Sequence, residues 1–94
     1  MTIDSAVLES LIQDGKTLEL ISDYLQDCCE ISVSLEELKE SIIGLYKRNL
    51  LRVAFPLQYV GVLCLQDSLF NEYWFELSDE GEKECIKRNL MCEA

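Results

Sequence analysis

SLEELKESIIGLYKRNLLRV, residues 34–53, reads as one long helix, a sharp stop and the start of a strand. Ser34 and Glu37 form a Ser-x-x-Glu capping box, and Val33 and Leu38 stand where a hydrophobic staple closes the first turn. Leu35, Leu38, Ile42, Ile43, Leu45 and Tyr46 recur with helical spacing and predict one broad apolar face. Asn49 follows Lys47 and Arg48. Asparagine is the best non-glycine residue for the left-handed position that ends a helix. Leu50, Leu51, Arg52 and Val53 then read as extended chain.

The outer face of this helix collects Glu36, Glu37, Glu40, Ser41, Gly44, Lys47 and Arg48. Lys39 falls within the apolar arc, where a long stem snorkels past apolar neighbours. Gly44 costs about 1 kcal/mol relative to alanine in a helix interior. Close approach of another backbone is one reason to keep it, and drift at a tolerated surface position is the other.

Working back toward the N-terminus, Thr17 caps a helix with Leu18, Ile21, Tyr24, Leu25 and Cys28 inward. Its outer face carries Glu19, Asp23, Asp27 and Glu30, an acidic stripe whose like charges repel at this spacing. A solvated face and a surface for a basic partner both fit it. Before it, Asp4 caps a first helix with Val7, Leu8, Leu11 and Ile12 on one side, and Gly15 stops it.

On the other side, residues 52–55 read as a strand that Pro56 interrupts or ends. The segment LQYVGVLCLQDSLFNE, residues 57–72, is unusually apolar. Tyr59, Val60, Val62, Leu63, Cys64 and Leu65 have strand composition, Gly61 suits a bulge, and 66–72 reads as the turn. Tyr73 to Leu77 alternate as a strand. Ser78 caps a last helix from Asp79 to about Cys92, with Cys85, Ile86 and Leu90 inward. Asp79 and Glu80 at its start and Lys87 and Arg88 near its end suit the helix dipole.

The chain has 94 residues, enough for one domain with a three- or four-helix core and a small sheet. Its apolar fraction of 49% is above that of a disordered chain. No apolar run approaches the ~20 residues needed to span a bilayer, and no basic segment precedes an apolar core at the N-terminus, so no signal peptide is expected. Five cysteines, Cys28, Cys29, Cys64, Cys85 and Cys92, follow no disulfide spacing. With no histidine and no C-x-x-C pattern, neither a metal site nor a cofactor is expected. Reduced thiols in the cytoplasm are the plain reading.

The net charge of −10 repels phosphate backbones and anionic lipid, because both need a surplus of lysine and arginine on the contacting face. Enzyme chemistry has no footing either. There is no glycine-rich phosphate loop, and Cys28-Cys29 lacks both an activating spacing and a histidine base. No internal repeat, linker or low-complexity stretch breaks the chain.

The order helix, helix, helix, strand, strand, helix resembles a winged helix-turn-helix domain spanning residues 1–94. LYKRNLLRV, residues 45–53, is similar to the end of a winged-helix recognition helix, with Asn49 in place of the usual glycine. YWFELSDEGEKECI, residues 73–86, resembles the segment that closes the wing and opens the last helix in MarR-like and PadR-like regulators. Tyr73, Leu77, Ser78 and Gly81 approximate that motif. Tyr73 lies two residues further from Leu77 than the motif sets it, and Phe75 fills the matching place.

The resemblance implies an α+β fold: a three-helix core, a β-hairpin wing at 56–72 and a C-terminal helix. Residues 35–48 would be the recognition helix. It also implies dimer contacts through the terminal helices or the wing. In DNA-binding relatives the early residues of that helix enter the major groove; here these are Glu36, Glu37 and Glu40. The wing carries no lysine or arginine, and only Lys47, Arg48 and Arg52 make a local basic group.

The expected role is therefore an acidic module that binds itself or another protein, in a regulatory or adaptor setting. The surface for it is Glu36, Glu37, Glu40, Gly44, Lys47, Arg48 and Arg52. A DNA-binding transcriptional regulator and a DNA mimic are the alternatives. Residues 57–65 hold too many large apolar side chains for a solvated wing. They either fold under the domain or meet another chain.

Overall fold

The computed structural model describes residues 1–91. It is an α+β arrangement of four α-helices and a two-stranded antiparallel sheet. The helices are α1 (Ile3–Ser10), α2 (Leu18–Cys28), α3 (Leu35–Lys47) and α4 (Asp79–Lys87). The strands are β1 (Leu51–Phe55) and β2 (Trp74–Leu77). Among the described residues, no helix is long and apolar enough to cross a membrane.

α3 is built as its sequence dictates. The Ser34 hydroxyl accepts from the Glu37 N–H at 3.2 Å, while the Glu37 carboxylate takes the Ser34 hydroxyl at 3.5 Å rather than its backbone N–H. Leu38, Ile42 and Leu45 are fully buried, with Val33, Ile43 and Tyr46 packed beside them. Leu35 departs from the expected apolar face and is 53% exposed, because the first helical residue lies at the rim of the core. Asn49 is left-handed at φ 62°. Around it the Leu50 N–H bonds to the Leu45 carbonyl at 3.1 Å and the Asn49 N–H to Tyr46 at 3.0 Å, a Schellman stop.

α1 packs on α2, α3 and α4 and supplies Ala6, Val7, Leu8 and Leu11 to the core. Its cap corrects the sequence reading. Thr2 accepts from the Ser5 N–H at 3.2 Å, whereas Asp4 sits in the first turn and accepts from Ser41 of α3 at 2.5 Å. Ser41 is thus an α1 contact, not free surface. Gly15 does not stop the helix, which ends at Ser10. It lets the chain pass β2, where a Cβ would come within 3.0 Å of the Phe75 carbonyl. Lys16 then exchanges two backbone bonds with Phe75, at 3.0 and 2.8 Å, lengthening the sheet by one bridge.

In α2, Leu18, Ile21 and Leu25 are buried, and Thr17 caps at 3.3 Å. Cys28 is exposed, and its neighbour Cys29 turns toward the core instead, since Cys28 falls on the outer side of the last turn.

β1 and β2 pair with Leu51 opposite Leu77, Arg52 opposite Glu76 and Val53 opposite Phe75. The connection between them differs from the expected wing. Residues 57–65 form no strand: a 3-10 turn at Leu57–Tyr59 and a 3-10 helix at Asp67–Glu72 span the gap. Gly61 has φ 82°, and the Tyr46 hydroxyl donates to the Val62 carbonyl. These hold the segment in turns that β pairing would undo. Phe70, Tyr73 and Phe75 stack edge-on or tilted within the core, and the Tyr73 hydroxyl accepts from the Gln66 N–H at 3.0 Å.

α4 is capped by Ser78, whose hydroxyl accepts from the Gly81 N–H at 3.0 Å and donates to the Asn49 carbonyl at 2.5 Å. It ends at Lys87, earlier than expected, because Asn89 at φ 61° repeats the Asn49 stop. Cys92 lies outside the described residues.

Candidate functional site

The α3 residues singled out by sequence, Glu36, Glu37, Glu40, Gly44, Lys47 and Arg48, are all exposed. A Cβ built at Gly44 would meet nothing within 4 Å, so nothing inside the fold requires that glycine. The three cations do not act as one group. Arg52 stands on the solvent side of β1, and its Nε meets Glu76 Oε1, its cross-strand partner, at 2.5 Å. Lys47 and Arg52 share an open groove of about 610 Å³ with Tyr46, Leu63, Asp79 and Glu80, so carboxylates already stand beside them. Arg48 does not line that groove. It lies near enough to Glu84 to help hold that carboxyl below its ordinary range, an effect due first to the 2.6 Å bond from Arg88.

Glu19, Asp23 and Asp27 lie exposed along α2. Glu30 is off the helix, beyond the Cys29 cap at φ 56°, so the expected four-member stripe is three residues and a turn. Five ion pairs occur among the described residues, and none uses a carboxylate of α2 or α3. Glu19 and Asp23 instead line a groove of about 350 Å³ with Leu18, Ser22, Leu35 and Asn71.

A second surface is apolar. Leu63 is fully exposed, Leu57 77%, Phe55 54%, Val60 53% and Trp74 38%. Phe55 and Trp74 are cross-strand neighbours, and the Val60 N–H closes on the Leu57 carbonyl at 3.2 Å. Phe55 and Trp74 were not among the sequence candidates. The signal for Trp74 was there, since strict alternation through Tyr73, Phe75 and Leu77 turns Trp74 and Glu76 the other way.

The remaining cluster of ionisable groups joins α1 to α2. Lys16 Nζ donates to the Ser10 carbonyl and to Asp14, each at 2.6 Å, and stands 5.4 Å from the centre of the Tyr24 ring. The Tyr24 hydroxyl donates to Glu9 at 3.1 Å, and burial together with that carboxylate pushes its pKa up to about 12. Each of these groups is committed to a neighbour, so the cluster pins the turn. Among the described residues, no three His, Cys, Asp or Glu side chains are grouped to hold a metal ion. No protein-family model, curated protein or solved structure matches this chain.

Proposed function

We propose that the chain is an acidic winged-helix domain of the cytoplasm that acts through protein–protein contacts and associates with itself, in a regulatory or adaptor role. The winged-helix assignment is supported by the order of elements and by α4 seating on the junction of α3 and β1. A reducing compartment agrees with the free thiols of Cys28, Cys29, Cys64 and Cys85.

The observation that carries self-association is the apolar surface of Phe55, Leu57, Val60, Leu63 and Trp74. Four of these five lie in residues 53–66, a run with no charged side chain in a protein that is 28% charged. Two copies at −10 repel, and an uncharged face is where they can approach. DNA reading is disfavoured by the exposed Glu36, Glu37 and Glu40 on the helix that would enter the groove.

Sedimentation velocity over a concentration series tests the proposal. The wild type should associate, more strongly as salt screens the repulsion, and the Leu57→Glu/Leu63→Glu variant should sediment as a monomer throughout. A wild type that stays monomeric at the highest concentration reached would refute self-association.

A further inference from the structure

We infer that the groove between α2 and the start of α3 is a docking site for a basic, amphipathic segment of a partner protein. This rests on the reading of the chain as a protein-interaction module but not on self-association. The apolar side chain that the groove presents is Leu35, since Leu18 beneath it is buried in the core. Leu35 is the one α3 leucine left largely in water, although it belongs to the helix's apolar series.

The rim fixes the charge of the occupant. Glu19 and Asp23 lie one helical turn apart on α2, both exposed and both outside every ion pair of the described residues. Carboxylates at this spacing repel, and a cation between them relieves that cost. Among the described residues, no ion pair supplies that cation. Lys39, the nearest basic residue of α3 in sequence, bonds to Asp67 at 3.3 Å and lies 5.6 Å from the centre of the Phe70 ring. Ser22 and Asn71 add polar atoms at the edge for a guanidinium or a peptide group. An exposed leucine beside two unpaired carboxylates is complementary to an apolar anchor flanked by lysine or arginine, and it repels nucleic acid and acidic peptides.

The test is an NMR titration of the whole chain with a synthetic amphipathic peptide of leucine and lysine, against the same peptide with glutamate for lysine. The expected result is saturable shifts centred on Leu18, Glu19, Ser22, Asp23, Leu35 and Asn71, weakening with salt, and none with the acidic peptide. Glu19→Lys/Asp23→Lys and, separately, Leu35→Ser should each weaken binding by about tenfold or more. Asp27→Lys/Glu40→Lys, the same charge change elsewhere on the two helices, should weaken it by less than about threefold.

Equal losses for the two charge-reversed pairs, or shifts spread over every acidic face, would mean non-specific attraction and overturn the inference. Shifts of the groove residues on simple concentration, without peptide, would assign the groove to a second copy and overturn it too. Leu57→Glu/Leu63→Glu should leave peptide binding intact. Failure of self-association and failure of the groove are thereby separate results, and the opposite salt dependences distinguish them again.

Discussion

Replacing Gly81 by alanine should destabilise the fold even though alanine is the better helix former. A Cβ at position 81 would stand 2.0 Å from the Leu50 carbonyl oxygen and 3.2 Å from Leu77 Cδ2. Neither side has room to move. The Leu50 carbonyl accepts from the Ser78 N–H at 3.1 Å, and Leu50 itself closes the Schellman stop of α3. Relieving the clash means lifting the first turn of α4 by about 1 Å, beyond what close-packed interiors absorb. That movement strains the Ser78 bonds to Leu50 and Asn49, each worth about 1 kcal/mol net.

Overpacking of this kind costs about 1–3 kcal/mol, and alanine's propensity returns about 1 kcal/mol of the gross loss. Because the 2.0 Å contact is with backbone rather than a movable side chain, the cost falls at the upper end, and a net loss of about 2 kcal/mol lowers Tm by about 8–16 °C in a domain of this size. Gly44→Ala is the control, since its methyl meets nothing within 4 Å and should raise stability by about 0.5–1 kcal/mol. Thermal and urea unfolding of both variants provide the measurement. A Gly81→Ala protein as stable as Gly44→Ala would refute the close approach of α4 to the α3–β1 junction.

At Asn49, left-handed at φ 62°, valine should cost about 1–2 kcal/mol and glycine should be nearly neutral in urea unfolding; equal loss for both would mean that the asparagine side chain, not its backbone, is what counts. Burial raises the Cys85 thiol from its ordinary 9.0 to about 11, so the folded state favours the neutral form. Its contribution is complete below pH 9 and is lost as pH rises toward 11, at up to about 1.4 kcal/mol per pH unit. Urea midpoints under reducing conditions should fall across that window, and Cys85→Ala, less stable throughout, should show a shallower fall; an unchanged slope would sink the assignment.

The helices were legible because their signals are local. Ser34, Thr17 and Ser78 each cap the helix they precede, and Asn49 stops α3 as its place after a basic pair suggests. The tetrapeptide Lys-Arg-Asn-Leu occurs again at 87–90 and ends α4 in the same way, a signal that the reading of the last helix out to about Cys92 passed over. What was not legible depends on distant neighbours. Gly15 looks like a helix stop but is needed because the Phe75 carbonyl lies against it, some sixty positions away in the chain. Thr2 outcompetes Asp4 as cap because Asp4 is claimed by Ser41 of α3. The acidic faces were legible as composition, but the pairing of Arg52 with Glu76 depends on strand register and dissolves the basic group that sequence placed there.

Residues 57–65 show how composition and structure can part company with a physical reason. Valine, leucine and tyrosine there have strand propensity, yet propensity in sheets measures packing against neighbours on a pleated face, and among the described residues no strand pairs with it. The segment divides its side chains. Tyr59 and Leu65 lean on the core, with Tyr59 edge-on to Tyr73 at 5.5 Å, while Leu57, Val60 and Leu63 point to solvent. The inward pair accounts for how the excursion is held. The outward three contribute little to folding, since an apolar side chain stabilises in proportion to the area it removes from water. On a second copy each would be worth up to about 1.5–3 kcal/mol if fully covered. The fold therefore explains the inward pair, and the proposed association would supply a use for the outward three.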